Sequence, residues 1–598
     1  MNIIKDRKIS WIVLSFFLIY VLAHNQGNAQ TVVPSRTLTS WTKYDIGNSN
    51  RLCIFLTDST SSWLGISGGL AAQGIPFRIT DDIDEALKHK VVLIYPGLAS
   101  HTLNLHALKK LREHPYNGGA LMAFNVVAPS MYKVFGFKKS TFSTQRDTIL
   151  ISQYDLPETR FIEDINEGRL RIGNLDVTAK NTITIGYLET SFAPLAVFED
   201  GSAAIIRNIF NDGAAYAFGI DLGLLSLSAH ANLDPEIQRS YVNKFEPVLD
   251  VFFRMIRTIY MEYADFPIIT GTVPGNKMVP ILITHDIDQS CSLDTMLLYA
   301  NLEASYNAPA TYYIQTTDIE NITTTPLISQ EDIPKYYVLI NMGMEIGSLV
   351  EEYSGNRSFY FDFSNRFNET LLDEIRASYN VSNQLFGVNA TSFRSGYLGY
   401  PEKLHICMKE VGFRYSSSIT ANELLTHMPV NTMYNYMLDD ELDIYELPIT
   451  IEDQELPEMD QRINEAIVLT EKIAHYGGMV NILIHPDIMG HKYRFLEVYL
   501  RFFENKAWFG TISQYGDWWK ARTSLQIDAE TYNKFMVINI EAPQSIRNLP
   551  INIPKHFKYI SAISDVGSVT KTKSGYLIER IDGKAKLFFQ NQKASSNK

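Results

Sequence analysis

The stretch Pro280-Ile-Leu-Ile-Thr-His-Asp-Ile-Asp288 joins an apolar run to a histidine and two carboxylates. A buried run that ends abruptly in polar and acidic residues is how a core strand looks when its C-terminal end carries chemistry. Side chains alternate along a strand, so Asp286 and Asp288 share one face, and His285 and Ile287 share the other. Two neighbouring carboxylates can divide proton transfer and metal ligation between them. On pattern alone, turn-forming acids at a strand end are the commoner reading. Two further polar residues end predicted strands, Arg394 at 390–394 and His485 at 480–485. Each also has a structural reading, Arg394 as an ion-pair residue and His485 as a turn or core histidine before Pro486. His285 points away from Asp286 and reads as structural, and His427 and His491 read as loop histidines with no spacing that argues for ligation.

These residues need a scaffold that gathers strand ends. Strands are predicted at 280–288, 310–315, 344–347, 390–394, 415–418, 444–447, 480–485 and 509–513, with helices between them. That count and alternation suit a β/α barrel over 278–523, in which the loops after the strands build the site. Upstream, apolar runs at 52–56, 91–95, 120–124, 203–208 and 214–220 alternate with helical patterns at 64–73, 83–88 and 103–114. This predicts a flavodoxin-like α/β domain over 31–265 with a parallel sheet between helices, closed by a long amphipathic helix at about 235–263. Thr270-Gly-Thr-Val-Pro-Gly-Asn-Lys277 reads as a polar linker and domain boundary. Residues 524–598 alternate apolar and polar positions between turn signals and predict a small antiparallel β module.

The chain has 598 residues, 45% of them hydrophobic and 20% charged, as an ordinary globular protein of several domains does. Its net charge of -13, without a basic patch, argues against a nucleic-acid partner. An aromatic content of 12% fits sugar-facing surfaces and also a large core. Lys5, Arg7 and Lys8 precede an apolar run at 11–23 and then Gly27-Asn-Ala29, which reads as a secretory signal over 1–29 cleaved after Ala29. The run is short for a membrane anchor, and the expectation is an exported protein with no transmembrane segment after cleavage. It would reside in the periplasm, at the cell surface or outside the cell. The three cysteines lie far apart without metal spacing, and Cys53 and Cys407 sit in apolar contexts as core residues.

Five segments in order give the middle domain a resemblance to the polysaccharide deacetylase family with NodB homology. They are Thr284-His-Asp-Ile-Asp288, Gly343-Met-Glu-Ile-Gly-Ser348, Ser392-Phe-Arg-Ser-Gly-Tyr397, Glu446-Leu-Pro448 and Ile482-Leu-Ile-His-Pro486. The resemblance implies a distorted β/α barrel and metal-assisted hydrolysis of an acetyl group on a polysaccharide or cell-envelope glycan. In that scheme Asp286 is the general base and Asp288 a metal ligand. Arg394 holds Asp286 ionised and oriented, the backbone N–H of Tyr397 faces the oxyanion, and His485 protonates the leaving amine. The chain departs from the family at the metal histidines, where Leu349 and Tyr353 stand. A catalytic zinc normally takes three protein ligands, and only Asp288 is left. No zinc is therefore expected unless unidentified ligands complete the site. Glu351 and Glu352 could offer oxygens to a harder cation, although solvated surface glutamates are the plainer reading. Two functions follow: a deacetylase-type hydrolase with altered ligands, or a metal-less carbohydrate-binding or regulatory module. Leu93-Ile-Tyr-Pro-Gly97 and Gly118-Gly-Ala-Leu-Met-Ala-Phe124 give the first domain a resemblance to class I glutamine amidotransferase-like domains. The turn where those enzymes carry a nucleophilic cysteine reads Phe124-Asn125-Val126, so that chemistry is not expected.

Overall fold

Uninterrupted apolar runs become strands that are buried on both faces. In the computed structural model, Leu52–Leu56, Val91–Tyr95 and Ala120–Phe124 are such strands, and every residue in them is buried. The description covers residues 40–592 except 174–180, 232–238, 289, 316–330, 351–367, 402, 434–439 and 533–534. The export signal read at 1–29 lies outside the described residues, as do Glu351, Glu352 and Tyr353.

The first sheet is parallel through Phe77–Thr80, Leu52–Leu56, Val91–Tyr95, Ala120–Phe124 and Ala214–Phe218. It continues antiparallel from Ala203–Ile209 through Ala196–Phe198 and Thr148–Ile151 to Arg169–Arg171. Leu52, Ile54 and Leu56 pack into one core, and Cys53 and Phe55 into the core on the opposite face. The closing helix starts later than expected, at Val248–Tyr263, because Pro247 stands at its N-cap and residues 239–247 are not helical; 235–238 lie outside the described residues. Residues 240–247 run instead as an irregular strap.

The second sheet is the curled one. Its order is Val430–Met433, Glu441–Glu446, Tyr415–Ser416, Ser392–Ser395, Glu345–Val350, Thr311–Gln315, Pro280–Ile287, Val480–Ile484 and Ile451–Glu452. All pairings along it are parallel except that of Val430–Met433 with Glu441–Glu446. The strand Pro280–Ile287 divides its side chains by parity. Ile281, Ile283 and Ile287 join the outer core with Met296 and Tyr299 of the helix Ser290–Ser305. Leu282 joins an inner cluster with Tyr313, Leu349, Tyr415 and Leu447. The strand expected at 509–513 is only Trp508–Phe509, because Thr511 begins the helix Ile512–Thr523 with a capping box closed by Gln514.

The third sheet is antiparallel and is built on two long strands, Phe535–Asn552 and Gly575–Asn591, flanked by Gln526–Tyr532, Phe557–Ala562 and Val569–Lys571. The predicted linker is part of the structure. Ile269–Thr270 pairs with Phe535–Asn552, and the buried Arg522 donates to the carbonyls of Gly271, Thr270, Ala71 and Ala72 at 2.6–3.3 Å. Ala71 and Ala72 end the helix Trp63–Ala72, so one guanidinium satisfies open carbonyls there and in the linker. No described helix is long and apolar enough to cross a membrane.

Candidate active site

The barrel strands aim their inward residues at a polar centre above the inner apolar cluster. Arg394, at 0% exposure, lies in the strand Ser392–Ser395 beside Leu349 in register. Its Nη1 donates to Asp286 Oδ1 at 2.7 Å, and its Nη2 donates to Thr284 Oγ1 at 2.9 Å and Ser417 Oγ at 2.7 Å. Its Nε donates to the Ser417 carbonyl at 2.8 Å, and its Cζ lies 4.4 Å from the centroid of the Tyr313 ring. Asn481 Nδ2 donates to Ser417 Oγ at 2.8 Å and fixes that hydroxyl. A buried cation needs this many partners, because an unmatched buried charge is strongly destabilising. The arrangement leaves Asp286 in one orientation.

His485 follows the strand Val480–Ile484. Its backbone N–H donates to Asp453 Oδ2 and its Nδ1 lies 2.8 Å from Asp453 Oδ1. Lys492 Nζ approaches Asp453 Oδ2 at 2.6 Å and Asp487 Oδ1 at 2.5 Å. Burial pulls the imidazole pKa down, but the Asp453 hydrogen bond and the charges of Asp453, Asp286 and Asp288 outweigh it and push the value up to about 9. Burial raises the Asp453 carboxyl, and His485 and Lys492 more than offset that and bring it down to about 2. At neutral pH His485 is therefore a cation, and its Nε2 lies 3.8 Å from Asp288 Oδ2. Burial raises the pKa of Asp288, with His485 opposing and Asp286 adding to the rise.

Asp286, Asp288, Arg394 and His485 thus belong to one charge cluster. Tyr397 sits just past the Arg394 strand with a left-handed φ of 52°, and it is 56% exposed. His285 faces the other way, its Nε2 2.5 Å from Glu303 Oε1 and its Nδ1 3.0 Å from the Ile484 carbonyl, and stacks on Tyr312. His427 lies in a loop before the strand Val430–Met433, and its environment there is not solvent. It is buried, its Nδ1 lies 3.1 Å from Asp250 Oδ2, and it ties the Val248–Tyr263 helix to the barrel. Asp453 and Lys492 went unread in the sequence. Asp453 directly follows the two-residue strand Ile451–Glu452, which is too short and too polar to carry an apolar signature. Lys492 has no local signature, since its role arises only from the packing of its helix against that strand.

Asp288 Oδ1 is buried and has no hydrogen-bond partner among the described residues. Leu349, 1% exposed, faces the inner cluster with Tyr313, Leu282 and Tyr415. A hydrocarbon side chain offers no lone pair, and no group of three metal-ligating side chains occurs among the described residues. Leu349 thus cannot supply the ligand that a three-ligand zinc site needs at its position, and Tyr353 lies outside the described residues.

No family model and no curated protein matches the sequence. Solved structures similar to the chain include carbohydrate deacetylases and a pseudoenzyme. Agd3, a novel carbohydrate deacetylase, is 11% identical, with 91% of this chain and 99% of that chain covered and a TM-score of 0.41. The peptidoglycan deacetylase PdaC from Bacillus subtilis is 15% identical over 40% of this chain and 91% of its own, with a TM-score of 0.24. A mutant of BA3943, a CE4 family pseudoenzyme, is 13% identical over 40% of this chain and 68% of its own, with a TM-score of 0.25.

Proposed function

We propose that this chain is an exported protein that recognises acetylated sugars of a polysaccharide or cell-envelope glycan in the barrel cleft, without a zinc ion at Asp288. The observation that carries this reading is Leu349, packed into the apolar inner cluster where the family resemblance calls for an imidazole. Zinc supplies water whose pKa is lowered to about 7, and a lone carboxylate such as Asp286 is a poor activator of bulk water. Turnover of an acetyl group is therefore very slow or absent. The cleft remains furnished for recognition. Asp288 offers a buried oxygen as acceptor, and the protonated His485 offers Nε2–H as donor.

A second reading, a deacetylase-type hydrolase with altered ligands, draws on His485. An imidazole that is protonated at neutral pH and held by Asp453 suits protonation of a leaving amine or alcohol. Asp286 would then accept the proton of the attacking water while Arg394 keeps it in place. Acetate release from N-acetylglucosamine oligomers and O-acetylated xylan, with elemental analysis of the same preparation, decides between them. The proposal expects glycan binding with no stoichiometric zinc and no acetate. One zinc per chain with acetate release, both lost in Asp288→Ala, would overturn it in favour of the hydrolase. Leu349→His combined with Tyr353→His is expected to create zinc affinity.

A further inference from the structure

Among the described residues, the cluster around Asp286 and His485 supplies charges and hydrogen bonds, and a sugar ring also needs a flat apolar face. Such a surface comes from the first domain. The strap preceding the Val248–Tyr263 helix runs onto the barrel, where Val242 is buried against Ile449, Leu483 and Leu398. Leu483 is two residues before His485 and shares its face, and Leu398 directly follows Tyr397. Hydrogen bonds clamp the strap. Asn243 N–H donates to the Thr450 carbonyl at 2.9 Å, and Glu452 N–H donates to Asn243 Oδ1 at 3.3 Å. Asn422 Nδ2 donates to the Ser240 carbonyl at 2.8 Å. Glu452 precedes Asp453, the partner of His485, so the strap is bolted beside the acid that holds the imidazole.

Tyr241 stands on this strap and is 40% exposed. It adjoins Val242, which packs beside Leu398 and Leu483, and burial with the charges of Glu452 and Glu423 raises the pKa of its phenol, while Arg394 opposes the rise. Tyr397, 56% exposed, lies on the neighbouring segment that Val242 packs against through Leu398. Partly exposed tyrosines on a clamped backbone cost little to keep exposed and present flat apolar faces with polar tips.

We infer that Tyr241, contributed by the first domain, is a substrate-positioning residue of the barrel cleft that stacks a pyranose ring of the glycan, with Tyr397 flanking the same mouth. The inference rests on the proposed glycan recognition and adds where the ring lies and which domain holds it. It also assigns the first domain a direct part in the site, because without the strap the cleft lacks one aromatic wall. Isothermal titration of the full chain with N-acetylglucosamine oligomers tests it. Tyr241→Ala is expected to weaken binding by about tenfold, Tyr241→Trp to keep or strengthen it, and Tyr532→Ala, an exposed tyrosine on the third sheet, to leave it unchanged. Binding by Tyr241→Ala equal to wild type overturns this inference and leaves the proposed function standing. Loss in both Tyr241→Ala and Tyr241→Trp also overturns it, since stacking tolerates an aromatic replacement. Absence of binding by the wild type removes the proposed function and this inference with it.

Discussion

Asp453 is the residue on which the electrostatics of the cleft turn. It accepts from the His485 backbone, the His485 ring and Lys492, all from one face of the site. Asp453→Asn removes the charge that outweighs burial, so the His485 pKa should fall from about 9 to below neutral, as read by NMR titration of the ring. The same change leaves Lys492 short of a partner and should cost about 3 kcal/mol in denaturant unfolding. The pair also shapes the pH profile of stability. His485 is raised in the folded state, so its contribution is full below about 6.5 and is lost as pH rises through about 9. Asp453 is depressed, so its contribution is full above about 4 and is lost as pH falls through about 2. Thermal midpoints should therefore show a plateau between about pH 4 and 6.5, with the alkaline decline absent in Asp453→Asn. Arg394→Lys should not rescue Arg394→Ala, because one ammonium cannot serve Asp286, Thr284 and both Ser417 acceptors in a planar fork. Both variants should lose about 3–5 kcal/mol by denaturant titration.

At the scale of elements, Arg522 joins the end of the helix Trp63–Ala72 to Thr270 and Gly271. Arg522→Leu removes four hydrogen bonds to carbonyls, and calorimetry should show the transition broaden or split as the first sheet uncouples from the barrel. An unchanged single transition would contradict that role. The elements legible in the sequence were those whose pattern has one cause. The strands Leu52–Leu56, Val91–Tyr95 and Ala120–Phe124 are buried on both faces and read as unbroken apolar runs. Asp286 and His485 were legible because an acid or imidazole that ends a core strand breaks such a run. Short strands such as Thr148–Ile151 and Arg169–Arg171 carry too few residues for alternation to show. The helix Val248–Tyr263 was read too long because apolar residues of the strap, Val242 and Phe245, mimic helical spacing while packing against the barrel. Lys492 and the strap were invisible for the same reason: their partners are distant in sequence and near only in the fold.

At the scale of the molecule, three sheets pack so that the first domain reaches the barrel mouth and the third sheet takes up the linker strand. Arg51, in the first domain, makes a two-pronged ion pair to Asp528 of the third sheet at 2.7 and 2.9 Å, so the parts are tied at both ends. The proposed glycan recognition draws on this arrangement, with the strap seated on the barrel. The central claim is that this recognition needs no zinc at Asp288. The most direct test is the affinity of the full chain for N-acetylglucosamine oligomers before and after dialysis against a chelator, read by titration calorimetry. The account predicts the same dissociation constant in both preparations and no change when zinc is added back. Binding that disappears on chelation and returns with one equivalent of zinc would contradict it.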